Sequence, residues 1–121
     1  LAGVVQDPLF GPLVAFGPGG TLAELIGDAR FALAPLTDVD VELALAGGKA
    51  GKLIAGWRGA PPADRKALAS LLHRLSRLAV DHPEVAELDL NPVLARPDGW
   101  VAVDARVRLR RVERATSAKT W

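Results

Sequence analysis

The chain has 121 residues, 50% of them apolar, 24% charged and 5% aromatic, with a formal net charge of +1. That is one domain's worth of chain with enough apolar side chains for a core, and it excludes a disordered polyelectrolyte. With no cysteine and only His73 and His82 as histidines, a disulfide framework, a thiolate zinc site and a histidine-rich metal site are excluded as well.

In chain order, residues 1–6 read as a short strand stopped by Asp7-Pro8, and residues 12–16 as a second. Gly17-Pro18-Gly19-Gly20 is a turn by composition. Thr21–Ile26 fits either a strand or a helical turn, punctuated by Gly27-Asp28. Phe31, Leu33 and the following Pro35 predict a third strand, because the residue before proline avoids the helical region. Thr37 or Asp38 caps a short helix over 38–46, ended by Gly47-Gly48. A further helix fits Lys49–Gly56. The clearest element follows Asp64, a good N-cap, with Leu68, Leu71, Leu72, Leu75, Leu78 and Ala79 at helical spacing and a stop near Asp81-His82-Pro83. Residues 85–96 and 100–109 read as two strands joined at Pro97-Asp98-Gly99. Strands first and last with helices between predict an α+β fold, an antiparallel or mixed sheet with helices packed on one side.

The last hairpin carries the polar residues of most interest. By strand parity Leu88 and Leu90 share one face, and Glu87, Asp89 and Asn91 the other. Val101 and Val103 likewise share a face, expected to pack with the leucines on the long helix, while Ala102, Asp104 and Arg106 lie opposite. A turn centred on Asp98-Gly99 sets Asn91 across from Arg106 and Asp104 one diagonal step from Asn91, within reach of a shared ligand. A carboxylate and an amide carbonyl are hard oxygen donors of the kind Mg²⁺ takes, with phosphate and water completing its shell. The same residues also fit an ordinary solvent face. Phe16-Gly-Pro-Gly-Gly20 fits either a phosphate nest of backbone N–H groups or a turn that glycine permits. His73, off the apolar face of the long helix, and His82, near its C-terminus, read as surface residues.

The string Glu87-Leu-Asp-Leu-Asn-Pro-Val-Leu, followed after a turn by Val101-Ala-Val-Asp-Ala-Arg106, resembles the end of the ATP-grasp domain of NDP-forming acyl-CoA synthetases, relatives of the nucleotide-binding subunit of succinyl-CoA synthetase. Asp7-Pro-Leu-Phe-Gly-Pro-Leu-Val-Ala-Phe-Gly-Pro-Gly-Gly20, then Glu24, then Phe31-Ala-Leu-Ala-Pro-Leu36, then Gly56-Trp-Arg-Gly-Ala-Pro-Pro62 with Asp64, resemble the same family in the same order, over residues 3–109. The resemblance implies a C-terminal ATP-grasp subdomain over 1–109 and a basic tail or linker over 110–121. It implies Asn91 and Asp104 as magnesium ligands, with Asp89 assisting through water. It sets Gly19, Gly20 and Glu24 beside a bound nucleotide, ATP or ADP. No residue is assigned a catalytic role.

One position departs from the family: an arginine usually follows the Phe of the Phe-x-Leu-Ala-Pro motif, and here that position is Ala32. Arg30, on the same strand face by parity, either substitutes for it or the site is degenerate. The implied activity is an ADP-forming acid–CoA ligase, to which this chain contributes the nucleotide- and Mg²⁺-binding lobe. The other ATP-grasp lobe, with its lysines and lid, and the CoA-binding domains are expected in the same or a partner chain. The absence of methionine fits a piece of a longer protein, inactive by itself. The alternative reading is a degenerate synthetase-like regulatory region of a bacterial protein lysine acetyltransferase; a plain interaction module is a third. No apolar run approaches the ~20 residues of a spanning helix and no signal peptide is visible, so a cytoplasmic location without membrane contact is expected. Residues 106–121 hold six basic side chains and one acid, but no interleaved aromatics, so a solvated tail is preferred over a nucleic-acid arm.

Overall fold

The computed structural model describes residues 1–19 and 29–112. Gly20, the ambiguous Thr21–Ile26, Gly27-Asp28 and the tail from residue 113 lie outside them. The described elements are β1 (Ala2–Asp7), β2 (Gly11–Phe16), β3 (Arg30–Leu33), α1 (Asp38–Ala46), α2 (Gly48–Ile54), α3 (Arg65–Asp81), β4 (Val85–Leu90), β5 (Val93–Arg96), β6 (Gly99–Ala102) and β7 (Ala105–Leu109). Five strands form one sheet in the order β3-β2-β1-β4-β7; β5 and β6 form a two-stranded ribbon. Among the described residues every strand pair is antiparallel, so of the two sheet types expected the described sheet is the antiparallel one.

One face of the sheet carries the core. Ala2, Val4 and Val14 pack against Val41 and Leu45 of α1, Ile54 of α2, and Leu68, Leu71, Leu72, Leu75 and Ala79 of α3. The α3 residues are those picked out by helical spacing except Leu78, which is only partly buried and stays outside the core cluster. Asp64 caps α3 as expected, its carboxylate accepting the Ala67 N–H at 3.0 Å. The Asp64 N–H donates to the Arg96 carbonyl at 2.7 Å, tying the start of α3 to the tip of the β5–β6 ribbon. The buried Ser76 hydroxyl accepts the Leu36 N–H at 2.7 Å and fixes the chain leaving β3. No helix among the described residues is long and apolar enough to cross a membrane.

Thr37 caps α1 in a capping box: its hydroxyl accepts the Asp40 N–H while the Asp40 carboxylate accepts the Thr37 N–H. These bonds, the backbone one foremost, hold the Asp40 carboxyl below its ordinary value of 3.8. A depressed folded-state value stabilises the fold above the unfolded value and is lost as pH falls through the folded one. The stability gap between wild type and Asp40→Ala is therefore expected to be full at neutral pH and to close as pH falls below 3.8, read as urea midpoints across that range.

The last hairpin departs from expectation in three ways. The predicted strands 85–96 and 100–109 are each broken, at Asn91-Pro92 and at Val103-Asp104. Pro92 has no N–H for the ladder, although Asn91 N–H to Asp104 O (3.2 Å) and Val103 N–H to Pro92 O (3.0 Å) hold the two chains together through the break. The register is also two residues away from that predicted. Arg96 pairs with Gly99, so the loop is Pro97-Asp98 rather than Asp98-Gly99, and Asp89, not Asn91, faces Arg106. Finally, the inward parity switches at the break. Leu88 and Leu90 pack on the core as expected, but beyond the break Val93 and Trp100 do so, leaving Val101 and Val103 exposed.

Candidate metal and nucleotide site

The face of the sheet opposite the helices gathers the polar residues of β4 and β7. Glu87 faces Arg108 and Asp89 faces Arg106. One step further, Asn91 and Asp104 face each other across the 3.2 Å backbone bond. The register correction thus draws these two closer than a diagonal: they stand at directly opposed positions, where Cα atoms are about 4.5–5.5 Å apart. The Asp104 carboxylate is held from both sides. Its Oδ1 accepts the Ala105 N–H at 2.9 Å, and its Oδ2 lies 3.9 Å from Arg106 Nε. Asp89 sits between Arg106 and Gly3 in the sheet, and β1 packs so closely against β4 at Gly3 that a Cβ there would meet the Leu88 carbonyl oxygen.

The glycine segment reaches this rung from β2. Gly17 is pinned to Leu1 by a reciprocal pair, the Leu1 amine donating to Gly17 O at 2.6 Å and Gly17 N–H to Leu1 O at 3.1 Å. Gly19 comes so close to the rung that a Cβ on it would lie 2.9 Å from Asn91 Oδ1. Gly19 and Asn91, 72 positions apart by their numbers, are thus neighbours, which no local spacing signals. Gly20 and Glu24 lie outside the described residues.

Arg30 is not brought to this rung. It shares a face with Ala32, as parity predicted, but that face is the helix side: Arg30 pairs with Phe16, and Ala32 with the buried Val14. Its guanidinium lies against Gly47, where a Cβ would sit 2.8 Å from Nη1. Three strand spacings, roughly 14 Å, separate β3 from β4. His73 and His82 are surface residues, beside Asp38 (3.1 Å) and Glu84 (3.0 Å).

Asn91 and Asp104 fit a magnesium ion chemically. Both offer hard oxygens, and an amide with one carboxylate leaves most of an octahedral shell for water and phosphate. Among the described residues no group of three His, Cys, Asp or Glu side chains converges on a metal position. Beside Gly17–Gly19 lies an apolar pocket of about 100 Å³, lined by Phe16, Ala50, Leu53, Ile54 and Val93 among others. It falls short of the ~300–1,000 Å³ of ordinary ligand pockets, so it does not enclose a nucleotide.

Comparison with known proteins gives three concordant results. An ATP-grasp domain family profile matches residues 1–109. The chain is 43% identical over 109 residues to acetate–CoA ligase [ADP-forming] I of Archaeoglobus fulgidus, covering 90% of this chain and 16% of that one. It is 40% identical to the beta subunit of acetate–CoA ligase [ADP-forming] I of Pyrococcus furiosus, covering 90% and 47%. The structure of the dinucleotide-forming acetyl-coenzyme A synthetase 1 of Ca. Korarchaeum cryptofilum, in complex with coenzyme A and Mg-AMPPCP, superimposes with a TM-score of 0.86 at 47% identity, over 90% of this chain and 51% of that one. The chain spans half or less of the length of each of these two relatives.

Proposed function

The chain belongs to the ATP-grasp domain family, and from that premise we propose that it is the nucleotide- and Mg²⁺-binding lobe of an ADP-forming acid–CoA ligase, a cytoplasmic enzyme. The observation that carries this reading is the directly facing pair Asn91 and Asp104, with Gly19 against the amide. The Korarchaeum relative, at 47% identity, is a synthetase described in complex with coenzyme A and Mg-AMPPCP. Ala32 supported the regulatory reading, but both curated relatives described above are ligases, which favours catalysis.

In this reading Asn91 and Asp104 hold the metal through one neutral and one charged oxygen, and Asp89 supports it through water. A bound Mg²⁺ supplies charge neutralisation to the nucleotide phosphates, the main demand of phosphoryl transfer besides positioning. Gly19 lets the backbone of the glycine segment lie directly against Asn91, where any side chain would meet the amide oxygen. The small pocket leaves the rest of the nucleotide to be walled by the other ATP-grasp lobe, and coenzyme A to be bound elsewhere, in the same or a partner chain. The basic tail stays a linker in this reading.

Calorimetry of Mg²⁺·ATP-analogue binding to the full-length protein tests it. Asn91→Ala and Asp104→Ala are each expected to weaken binding about tenfold or more, about 1.4 kcal/mol or above. Equal affinity in wild type and both variants overturns the assignment.

A further inference from the structure

Three cross-strand rungs stack along the outer face of the β4–β7 ladder and its continuation. In the first, Arg108 Nη2 lies 3.5 Å from Glu87 Oε2. In the second, Asp89 faces Arg106. In the third, Asn91 faces Asp104. The first two rungs oppose an acid with a base, but the third opposes an acid with an amide, so Asp104 has no cation directly across from it. It leans on Arg106 instead, two residues along on the same face. Arg106 therefore stands between two carboxylates, Asp89 across the ladder and Asp104 beside it, with a side chain 84% exposed and free to swing. A guanidinium and a divalent cation repel each other, so both cannot share the Asp104 oxygens at full strength. A guanidinium released from Asp104 presents a planar fork that matches a phosphate group.

We propose that Arg106 is a positioning residue that trades places with the metal: it shields Asp104 when no cation is bound, and turns to the phosphate oxygens of the nucleotide when a cation takes Asp104. The inference rests on the reading of Asn91 and Asp104 as metal ligands. Arg106 thus opposes metal alone and favours metal with nucleotide, so the lobe is loaded by the complex rather than by the free ion.

The test uses the full-length protein and two titrants, Mg²⁺ alone and Mg²⁺ with a non-hydrolysable ATP analogue. Arg106→Gln is expected to tighten binding of Mg²⁺ alone about two- to fivefold, the range of an exposed ion pair, and to weaken binding of the Mg²⁺·analogue about tenfold or more, as for loss of a charged hydrogen bond. Arg106→Lys keeps the charge but not the fork, so Mg²⁺ alone is expected to bind nearly as in wild type while the analogue still binds more weakly. Arg108→Gln, one rung further from Asp104, is expected to leave both affinities within about twofold, since an exposed charge at that remove is largely screened. Shifts in the same direction for both titrants in Arg106→Gln, or no shift in either, overturn the proposal. A merely structural role moves both affinities together, so the opposed signs separate positioning from folding. If Asp104→Ala leaves both titrations unchanged, the metal reading itself fails; if it weakens both while Arg106→Gln shows no opposed shift, only the role of Arg106 fails.

Discussion

Leu72→Ala is expected to destabilise the fold by about 2–5 kcal/mol, the usual cost of removing a core leucine and leaving its cavity. Leu72 is 1% exposed and sits in the cluster that joins α3 to the sheet and to α1. Its neighbours on that face, Leu68, Leu71 and Leu75, are equally closed in, so no flexible side chain is placed to refill the space. Against a typical total of about 5–15 kcal/mol, such a loss is a large fraction. Urea unfolding checks it, through a fall in midpoint at unchanged slope. A loss below about 1 kcal/mol means that the α3 face is not packed as described.

The second large effect is expected at a glycine. A Cβ on Gly3 would lie 2.3 Å from the carbonyl oxygen of Leu88, which is backbone and cannot step aside as a side chain can. Gly3→Ala therefore pushes β1 away from β4 at the pair Gly3–Asp89, and a cost of about 1–3 kcal/mol follows from overpacking alone. Gly11→Ala makes a useful comparison. Nothing lies within 4 Å of its Cβ, but its φ of +85 is strained for alanine, so about 1 kcal/mol is expected from conformation alone. Hydrogen exchange separates the two: Gly3→Ala is expected to speed exchange along β1 and β4, whereas Gly11→Ala acts locally at the β1–β2 turn. Equal exchange in β4 for wild type and Gly3→Ala overturns this account.

Much of this fold is legible in the sequence because its elements are punctuated by residues with strong local preferences. Asp64 and Thr37 cap helices where their side chains predict, and the leucine spacing of α3 marks its buried face. Parity likewise puts Asp89 and Arg106 on one face, and the ladder pairs them directly, because a register shift of two residues leaves parity untouched. The rung was not legible. Moving the loop from Asp98-Gly99 to Pro97-Asp98 is a one-residue change in turn placement, and it turns a diagonal pair into a facing pair. The misplaced valines have a different cause. Val101 and Val103 alternate like core residues, but alternation cannot register the break at Pro92, beyond which the inward face changes. Arg30 shows a third limit: its face on β3 is readable by parity, but its distance from Asn91 depends on the strand order, which is set by contacts between segments far apart in sequence.

The tie between Asp64 and Arg96 has a mechanical consequence. The β5–β6 ribbon is clamped at its tip to the first turn of α3 and at its base runs straight into Asn91 and Asp104. Helix start, ribbon and the Asn91–Asp104 rung are therefore coupled in series, like a lever with its fulcrum at the strand break. A contact that tugs on the loop before α3, which carries the exposed Trp57 and Arg58, is expected to be transmitted along the ribbon to the spacing of Asn91 and Asp104.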